Sequence, residues 1–300
     1  MAQLKDWISA FRLRTLPLAL SCILLGGAMA MREGKFNGTI FTLALITTLL
    51  LQVLSNLAND LGDTQNGADS DDRNGPKRAV QTGVISIESM KKALYVFIGL
   101  SLVSGIALLV VSFGLSAIKE FGIFFLLGVL SIAAAIKYTM GKSPYGYQGL
   151  GDIFVFLFFG LVGVVGVYFL FTQTVNTEVF LVASSFGLLS TGVLNINNIR
   201  DIKSDFKAGK ISIPVRLGAH YAALYHLILL AGAMVLPLIY SMNTGQEELK
   251  NIWYVISYPL FAYNIYKIAT LTPCQMNPYL KQLALSSFFF AVCFSIAINL

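Results

Sequence analysis

The chain has 300 residues, of which 56% are hydrophobic and only 12% are charged. Soluble domains carry about 25% charged residues, so this composition excludes an ordinary soluble protein and indicates a bundle of membrane-spanning helices. The net charge of +6 does not indicate a nucleic-acid partner, because membrane topology explains where the positive residues lie. The three cysteines and two histidines show neither a disulfide framework nor the spacing of zinc ligands.

The N-terminal segment 1–14 is predicted to be a short helix at the membrane surface, with Trp7 and Phe11 on its apolar side. Beyond it, apolar runs of near 20 residues recur along the chain, as transmembrane helices require. We therefore predict an all-α, polytopic membrane protein with a single domain, residues 1–300, and nine transmembrane helices. The predicted spans are 15–31, 38–58, 93–116, 120–136, 150–172, 177–196, 221–242, 251–269 and 282–299.

The basic residues indicate how these spans are oriented, because lysines and arginines collect on the cytoplasmic side of a membrane. With a cytoplasmic N-terminus, 17 of the 21 lysines and arginines lie on the cytoplasmic side. All nine aspartates fall on the same side, although carboxylates contribute little to orientation. The sequence therefore predicts a cytoplasmic N-terminus and a function on the cytoplasmic face that requires aspartate.

A first acidic segment, 55–69, closes the second span. At 100° per residue, Asn56, Asp60 and Asp63 lie within about 60° of one another on one helix face. Gly67 is expected to end the helix and to bend the next carboxylate back toward the same face. The residues assigned to this segment of the site are Asn56, Asn59, Asp60, Asp63 and Asp69.

A second acidic segment, 195–205, closes the sixth span. Asn197, Asp201 and Asp205 follow an i, i+4, i+8 line and are expected on one helix face. The two segments lie four spans apart, so both helices run in the same direction and end on the same side of the membrane.

Paired carboxylate segments suit magnesium chemistry, because Mg²⁺ prefers oxygen ligands and usually binds through carboxylates together with substrate phosphates. Such ions stabilise the charge that develops as diphosphate leaves. Ordinary solvated helix ends would explain the location of the charges, but not the choice of aspartate, the shared face or the paired asparagines. The predicted metal ligands are Asp60, Asp63, Asp69, Asp201 and Asp205, and all except Asp69 are also the predicted catalytic residues. The candidate diphosphate-binding cations are Lys77, Arg78, Arg200 and Lys203, and Asp71 and Asp72 are expected to be solvated loop charges.

A tyrosine-rich and glycine-rich loop, 137–152, connects the fourth and fifth spans. Tyrosines are common anchors at membrane interfaces, and this explanation stays open for the loop. Asp152 stands at the start of an apolar span, where it could cap the fifth helix or orient a substrate hydroxyl.

These features together resemble the UbiA superfamily of intramembrane prenyltransferases, and the resemblance covers essentially the whole chain. The glycine-rich loop is its most specific part and is similar to the branch that uses 1,4-dihydroxy-2-naphthoate. The longer spacing from Asp63 to Asp69 departs from relatives that use 4-hydroxybenzoate. The motifs that carry the resemblance are Asn59-Asp60-x-x-Asp63, Gly67-x-Asp69, Asp201-x-x-x-Asp205, Pro144-Tyr145-Gly-Tyr147-x-Gly-Leu-Gly-Asp152 and Val215-Arg-Leu-Gly218.

The resemblance implies a cavity that opens to the cytoplasmic side and laterally to membrane lipid, in the bacterial cytoplasmic (inner) membrane. A polyprenyl diphosphate would bind with its tail in a groove facing lipid and its head on Mg²⁺ between the acidic segments. Ionisation would give an allylic cation, which the aromatic acceptor attacks before it loses CO₂, and demethylmenaquinone would form. The remaining residues implied in substrate binding are Asn56, Asn59, Lys137, Tyr138, Tyr145, Tyr147, Asp152 and Asn197.

Three alternatives stay open on sequence grounds. A prenyltransferase of the same superfamily could act on another ring, such as 4-hydroxybenzoate, homogentisate or a porphyrin. A CDP-alcohol phosphotransferase also uses clustered aspartates and Mg²⁺, but it packs them into one continuous segment. A secondary transporter would place broken helices and charges near the membrane midplane, whereas these spans are apolar through their centres.

Overall fold

The computed structural model describes residues 2–69, 74–114, 116–246 and 248–300, and the described residues contain helices and connecting turns but no β-strand. Helices are the expected result, because backbone polar groups in lipid must be satisfied within their own segment. The helices are α1 Leu4–Phe11, α2 Leu16–Arg32, α3 Gly38–Gln65, α4 Ile87–Phe113, α5 Ile118–Lys137, α6 Gly151–Thr172, α7 Val179–Arg200, α8 Ile202–Lys207, α9 Ile213–Asn243, α10 Tyr258–Thr270 and α11 Asn277–Ala297.

The all-α, polytopic class predicted from the sequence is confirmed, and each of the nine predicted spans overlaps a helix. Among the described residues, seven helices are long and apolar enough to cross a membrane, or eight if the bent pair α1 and α2 forms one span. The predicted count of nine is therefore approximate. It differs because α10 has only 13 residues and needs the preceding turn, Trp253–Ser257, to approach membrane thickness.

Two helices extend beyond the ends that hydropathy predicts, and both carry the acidic segments. The prediction ends the second span at residue 58, whereas α3 continues to Gln65; it ends the sixth at 196, whereas α7 continues to Arg200. Polar residues do not end these helices, because their side chains turn inward and find partners within the protein. Hydropathy alone does not detect this continuation, whereas the helix end expected at Gly67 agrees with the end of α3 at Gln65.

The helix α7 lies at the centre of the bundle, with 72% of its most apolar window buried. It packs against α6, α9 and α11. Glycines allow close approach here, as in other membrane bundles. A Cβ atom added at Gly160 of α6 would lie only 2.6 Å from the carbonyl oxygen of Ala183 in α7, and one added at Gly26 of α2 only 2.7 Å from that of Val164.

An apolar cavity of about 380 Å³ lies between helices α2 to α6. One wall of the cavity is Phe156–Gly166, a π-helical stretch of α6, a conformation that is rare and often found at functional sites. The helix α5 packs against α3 and α4, but within the described residues it does not pack closely on the middle of α6. Stacked rings of Phe124 and Phe169, 5.3 Å apart, close the far end of this gap.

Candidate active site

Three carboxylates of the first acidic segment converge on the guanidinium of Arg78. Its Nη1 atom lies 2.8 Å from Asp63 Oδ2, and its Nε atom lies 3.1 Å from Asp69 Oδ1 and 3.8 Å from Asp60 Oδ1. The side chain of Arg78 is only 8% exposed, and the three aspartates are buried. The first segment is therefore a desolvated cluster of charges rather than a solvated helix end.

The turn after α3 brings the third carboxylate into this cluster. Gly67 has a φ of +77°, the left-handed conformation that favours glycine. Beyond it, the backbone N–H of Ala68 donates to the carbonyl oxygen of Asp63 at 2.9 Å, which folds the chain back over the end of the helix. The turn at Gly67 thus brings Asp69 into the cluster around Arg78. Asp71 and Asp72, expected to be solvated, lie outside the described residues.

Arg200 organises the second acidic segment. Its Nε and Nη2 atoms donate to the two oxygens of Asp201 at 2.9 and 2.6 Å, and Nη2 also donates to Asn197 Oδ1 at 2.9 Å. The Nη1 atom donates to Asn277 Oδ1 at the start of α11. Both side chains of the Arg200–Asp201 pair are buried. Arg200 thus holds Asp201 in place, which sequence reasoning did not assign to it.

The predicted i, i+4, i+8 line of the second segment is interrupted, because α7 ends before Asp201 and α8 begins after it. Backbone hydrogen bonds of helical spacing still cross this break, since Asp205 N–H donates to the Asp201 carbonyl at 2.9 Å. The two aspartates therefore stay on neighbouring turns and are both buried.

Lys210, a residue that sequence reasoning missed, connects the two segments. Its Nζ atom lies 3.5 Å from Asp205 Oδ2 and 5.8 Å from the centre of the Tyr147 ring. The hydroxyl of Tyr147 donates to Asp63 Oδ1 at 2.9 Å. Asp205, Lys210, Tyr147 and Asp63 thus form one continuous chain of contacts. The two acidic segments meet at a single site, as the sequence predicts.

The charges in this cluster shift one another's ionisation. Burial alone would lower the pKa of the Arg78 guanidinium, but Asp63, Asp69 and Asp60 outweigh it and raise that pKa above its ordinary value. Lys210 behaves in the same way: burial would lower the pKa of its ammonium, but Asp205, Asp63 and Tyr138 together outweigh burial and raise it. Burial raises the pKa of Asp205 to about 6, even though Lys210 opposes this shift. Both cations therefore stay charged at neutral pH.

The tyrosine loop is fixed to the first acidic helix. The hydroxyl of Thr139 donates to the Ala58 carbonyl at 3.1 Å, and Asn66 Nδ2 donates to the Thr139 carbonyl at 2.7 Å. The approach is so close that a Cβ atom added at Gly62 would lie 2.7 Å from the carbonyl carbon of Thr139. The position of Tyr138 is therefore coupled to the helix that carries Asp60 and Asp63.

Two tyrosines of this loop face the apolar cavity. The rings of Tyr138 and Tyr145 meet edge to face at 5.4 Å, and Tyr145 stacks on Phe154 at 4.0 Å. Burial raises the pKa of Tyr138 to about 12, so the phenol stays protonated at neutral pH. Asn56 and Asn59 line the cavity near these rings. The polar end of the cavity thus adjoins the acidic cluster.

Not every predicted residue enters this cluster. The side chains of Lys77, Lys137 and Lys203 are exposed, so the structure does not place them among the buried charges. Asn56 Nδ2 donates to the Phe11 carbonyl at 2.9 Å, which gives this amide a role in holding the start of the chain. The predicted part of these residues in substrate binding remains a prediction.

Asp152 is buried at the start of α6, where it accepts a hydrogen bond of 3.1 Å from the Tyr225 hydroxyl. Sequence reasoning found Asp152 but missed Tyr225, which lies in the middle of an apolar stretch of α9. The only signal in the sequence is a hydroxyl-bearing ring within a membrane span, and this signal is common.

The donor set fits magnesium. Carboxylate oxygens are the ligands that Mg²⁺ prefers, and a guanidinium already balances three of them in the first segment. Within the described part of the chain, no three acidic, histidine or cysteine side chains form a metal site by themselves. Mg²⁺ usually takes one or two carboxylates and completes its coordination shell with phosphate and water.

Comparison with known proteins gives the family. The profile of the UbiA prenyltransferase family matches residues 19–291. The 1,4-dihydroxy-2-naphthoate octaprenyltransferase of Haemophilus influenzae is 42% identical over 99% of this chain and 96% of its own length. The Escherichia coli protein of the same name is 42% identical over 94% of this chain and 91% of its own.

Solved structures agree on the fold. The apo structure of a UbiA homolog from Aeropyrum pernix K1 superimposes with a TM-score of 0.69 at 18% identity, covering 98% of each chain. A UbiA homolog from Archaeoglobus fulgidus bound to DMAPP and Mg²⁺ gives 0.59 at 18% identity, covering 97% of this chain and 99% of its own. The fold and the joined acidic segments define an intramembrane prenyltransferase. The chain belongs to the UbiA prenyltransferase family.

Proposed function

We propose that this protein transfers a polyprenyl group from polyprenyl diphosphate to 1,4-dihydroxy-2-naphthoate, with loss of CO₂ and diphosphate, to give demethylmenaquinone in its reduced, dihydroxy form. One observation carries the proposal: a buried cluster joins both acidic segments at the polar end of an apolar cavity. The choice of acceptor is supported by the names of the relatives from H. influenzae and E. coli.

The diphosphate group is expected to bind at the joined acidic segments. Arg78 and Lys210 are buried cations that can pair with phosphate oxygens, and guanidinium geometry suits bidentate pairing. Mg²⁺, when bound, supplies charge neutralisation for the leaving diphosphate. Asp201 can contribute although Arg200 contacts both of its oxygens, because a carboxylate has about four lone-pair sites and Arg200 occupies two. The proposed metal-holding residues are Asp60, Asp63, Asp69, Asp201 and Asp205.

The prenyl tail is expected to occupy the apolar cavity. The cavity has a volume of about 380 Å³ and a mostly apolar lining. A tail that extends beyond the cavity must continue into lipid, and the sparse contact between α5 and α6 offers the route. Phe154 and Phe158 of α6 line this part of the cavity. The tail is therefore held near its reactive end and solvated by lipid beyond it.

The acceptor ring is expected to bind beside the tyrosine loop, where Tyr138 and Tyr145 lie between the acidic cluster and the cavity. Aromatic faces stabilise a nearby cation, which suits an allylic cation formed as diphosphate departs. Burial of the site also excludes water, which would otherwise capture that cation as the free alcohol. The same tyrosines would therefore bind the acceptor ring and stabilise the allylic cation.

The protein is an integral membrane protein, and we propose that it resides in the bacterial cytoplasmic membrane with its N-terminus in the cytoplasm. The distribution of 17 of 21 basic residues on one side supports this orientation. It places the acidic cluster at the cytoplasmic face, where a water-soluble acceptor is within reach.

Formation of demethylmenaquinone from dihydroxynaphthoate by purified protein, with and without Mg²⁺, tests the proposal directly. Asp60→Asn and Asp201→Asn keep the shape of the side chain but remove its charge. We expect each to lose nearly all turnover while it still folds in detergent. Glu88→Gln, at an exposed position of α4, is the matched control and should keep full turnover. Full activity in both aspartate variants would refute the metal role, and turnover of 4-hydroxybenzoate or homogentisate instead would refute the acceptor.

A further inference from the structure

Asp152 differs from every other buried carboxylate that the structure describes. The six buried aspartates are Asp60, Asp63, Asp69, Asp152, Asp201 and Asp205. Within the described residues, five of them lie beside the cation of Arg78, Arg200 or Lys210, whereas the side-chain partner recorded for Asp152 is the neutral hydroxyl of Tyr225. A carboxylate surrounded by apolar protein rather than by cations is the better proton acceptor.

The position of Asp152 is held by three helices. It begins α6, its carbonyl oxygen accepts a hydrogen bond of 3.4 Å from the Thr191 hydroxyl of α7, and its Oδ2 atom accepts the Tyr225 hydroxyl of α9 at 3.1 Å. Asp152 therefore cannot move toward solvent without breaking contacts to two neighbouring helices. The carboxylate is positioned in advance of any ligand.

Asp152 also stands immediately behind the wall of the cavity. The preceding residue, Gly151, lines the cavity together with Tyr138 and Leu194. A Cβ atom added at Gly151 would lie 3.2 Å from the Tyr138 hydroxyl and 3.4 Å from the Leu194 Cδ2 atom. The Gly151 backbone is thus in close contact with Tyr138, the tyrosine that adjoins the acidic cluster, and Asp152 lies one residue away from this contact.

We propose that Asp152 accepts the proton of a ring hydroxyl of the acceptor, and that Tyr225 positions the carboxylate for this transfer. This inference rests on the proposed function, because it needs an acceptor that carries an acidic aromatic hydroxyl. Asp152 is then a catalytic residue that touches the ring, and Tyr225 is a positioning residue that acts through it.

The step balances without a further reactant. The hydroxyl O–H bond breaks, its proton goes to a carboxylate oxygen of Asp152, and the electron pair stays on the ring as a naphtholate. The ring carbon then forms a bond to the allylic carbon as the C–O bond to diphosphate breaks, and diphosphate leaves with the electron pair. The ring carboxylate leaves as CO₂, its bonding electrons restore the aromatic ring, and the proton returns from Asp152 to the ring oxygen. The product is demethylmenaquinone in its dihydroxy form.

The acidic cluster is less suited to this task. Asp63 already accepts from Tyr147 and lies beside Arg78, and Asp205 lies beside Lys210. Cations that neutralise a carboxylate weaken it as a base, and these carboxylates are needed at the diphosphate. Asp152 is a separate carboxylate next to the acceptor region, with no cation beside it among the described residues. It can therefore accept the proton while the acidic cluster binds the diphosphate.

Two variants test the inference, with steady-state kinetics measured separately for acceptor and donor. Asp152→Asn keeps the shape but cannot take a proton, and we expect kcat to fall by about 100-fold or more. Tyr225→Phe keeps the ring and loses the hydrogen bond, and we expect the KM for dihydroxynaphthoate to rise about tenfold. In both variants the KM for polyprenyl diphosphate should stay unchanged. Tyr221→Phe, an exposed tyrosine one turn earlier on α9, is the matched control and should keep wild-type kinetics.

A ring-fluorinated dihydroxynaphthoate separates proton transfer from a purely structural effect. Its hydroxyl is more acidic, so it depends less on a base and should recover part of the lost kcat in Asp152→Asn. An equal loss of kcat with both acceptors in Asp152→Asn, or an unchanged kcat in that variant, overturns the inference. The proposed function stays intact in either case as long as the wild-type protein converts dihydroxynaphthoate. If Asp152→Asn does not fold in detergent, Tyr225→Phe decides, and an unchanged acceptor KM there overturns the inference. A wild-type protein that does not convert dihydroxynaphthoate overturns the proposed function itself, and the inference with it.

Discussion

The Nη1 atom of Arg78 lies 2.8 Å from the Oδ2 atom of Asp63, inside the buried cluster of the first acidic segment. The same guanidinium lies beside Asp69 and Asp60. In this arrangement, a side chain of the protein balances the negative charge of the first acidic segment. Mg²⁺ held by these carboxylates would supply positive charge at the same place.

Arg78→Met should make the fold depend on magnesium. Removing one partner from a buried charge cluster typically costs about 3–5 kcal/mol, because the carboxylates lose their compensating cation. We expect a lower Tm than wild type in EDTA. Added Mg²⁺ should raise the Tm of Arg78→Met more than that of wild type, because the ion replaces the lost charge. Thermal unfolding in detergent at several Mg²⁺ concentrations measures this, and equal shifts in the two proteins would contradict it.

Lys210→Met should impair donor binding more than Lys203→Met does. Lys210 is buried between Asp205 and the Tyr147 ring, whereas Lys203 is exposed on α8. Charge-assisted contacts in a desolvated site contribute more than those at an exposed one. The KM for polyprenyl diphosphate should rise about tenfold or more for Lys210→Met and change little for Lys203→Met. An equal effect of both substitutions would show that the exposed cation also reaches the diphosphate.

Gly62→Ala should displace the tyrosine loop. An added Cβ atom would lie 2.7 Å from the carbonyl carbon of Thr139, and backbone must shift to relieve the contact. Overpacking of this kind costs about 1–3 kcal/mol, and here it also separates Tyr138 from the acidic helix. We expect a lower Tm and a kcat reduced by an order of magnitude or more. Gly99→Ala, with nothing within 4 Å of the added atom, should leave both values unchanged.

Gly128→Phe should obstruct the tail region. Gly128 lines the cavity on α5, and an added side chain meets no atom within 4 Å at its first carbon, so a larger ring can project into the space. The KM for a long polyprenyl diphosphate should rise severalfold, whereas that for dimethylallyl diphosphate should change little. Gly122→Phe places the same ring on α5 at a position that does not line the cavity. Equal effects on short and long donors would argue against the cavity as the tail site.

Local sequence spacing was sufficient to predict the first half of the site. The angular spacing of Asn56, Asp60 and Asp63 depends only on helix geometry, and the return of Asp69 depends only on the glycine turn at Gly67. Such relationships lie within one or two turns of the chain. These relationships do not depend on how the rest of the protein packs.

The other half of the site depends on contacts that spacing does not determine. Tyr225 meets Asp152 across 73 residues of sequence, and that meeting follows from how α9 packs beside α6 and α7. Lys210 is buried whereas Lys203 is exposed, and this difference likewise follows from how the chain after α7 packs rather than from local spacing. The number of membrane spans is difficult to predict for a related reason. The helix α10 is short and approaches membrane thickness only together with the preceding turn, Trp253–Ser257.

The position of the acidic cluster at the polar end of the apolar cavity has a consequence for how the two substrates reach the site. One reactant can arrive from water and the other from the bilayer, each through the medium in which it already dissolves. The finished quinol is then delivered sideways into the sheet of lipid where electron carriers diffuse. Neither the polyprenyl donor nor the prenylated product therefore has to leave the membrane.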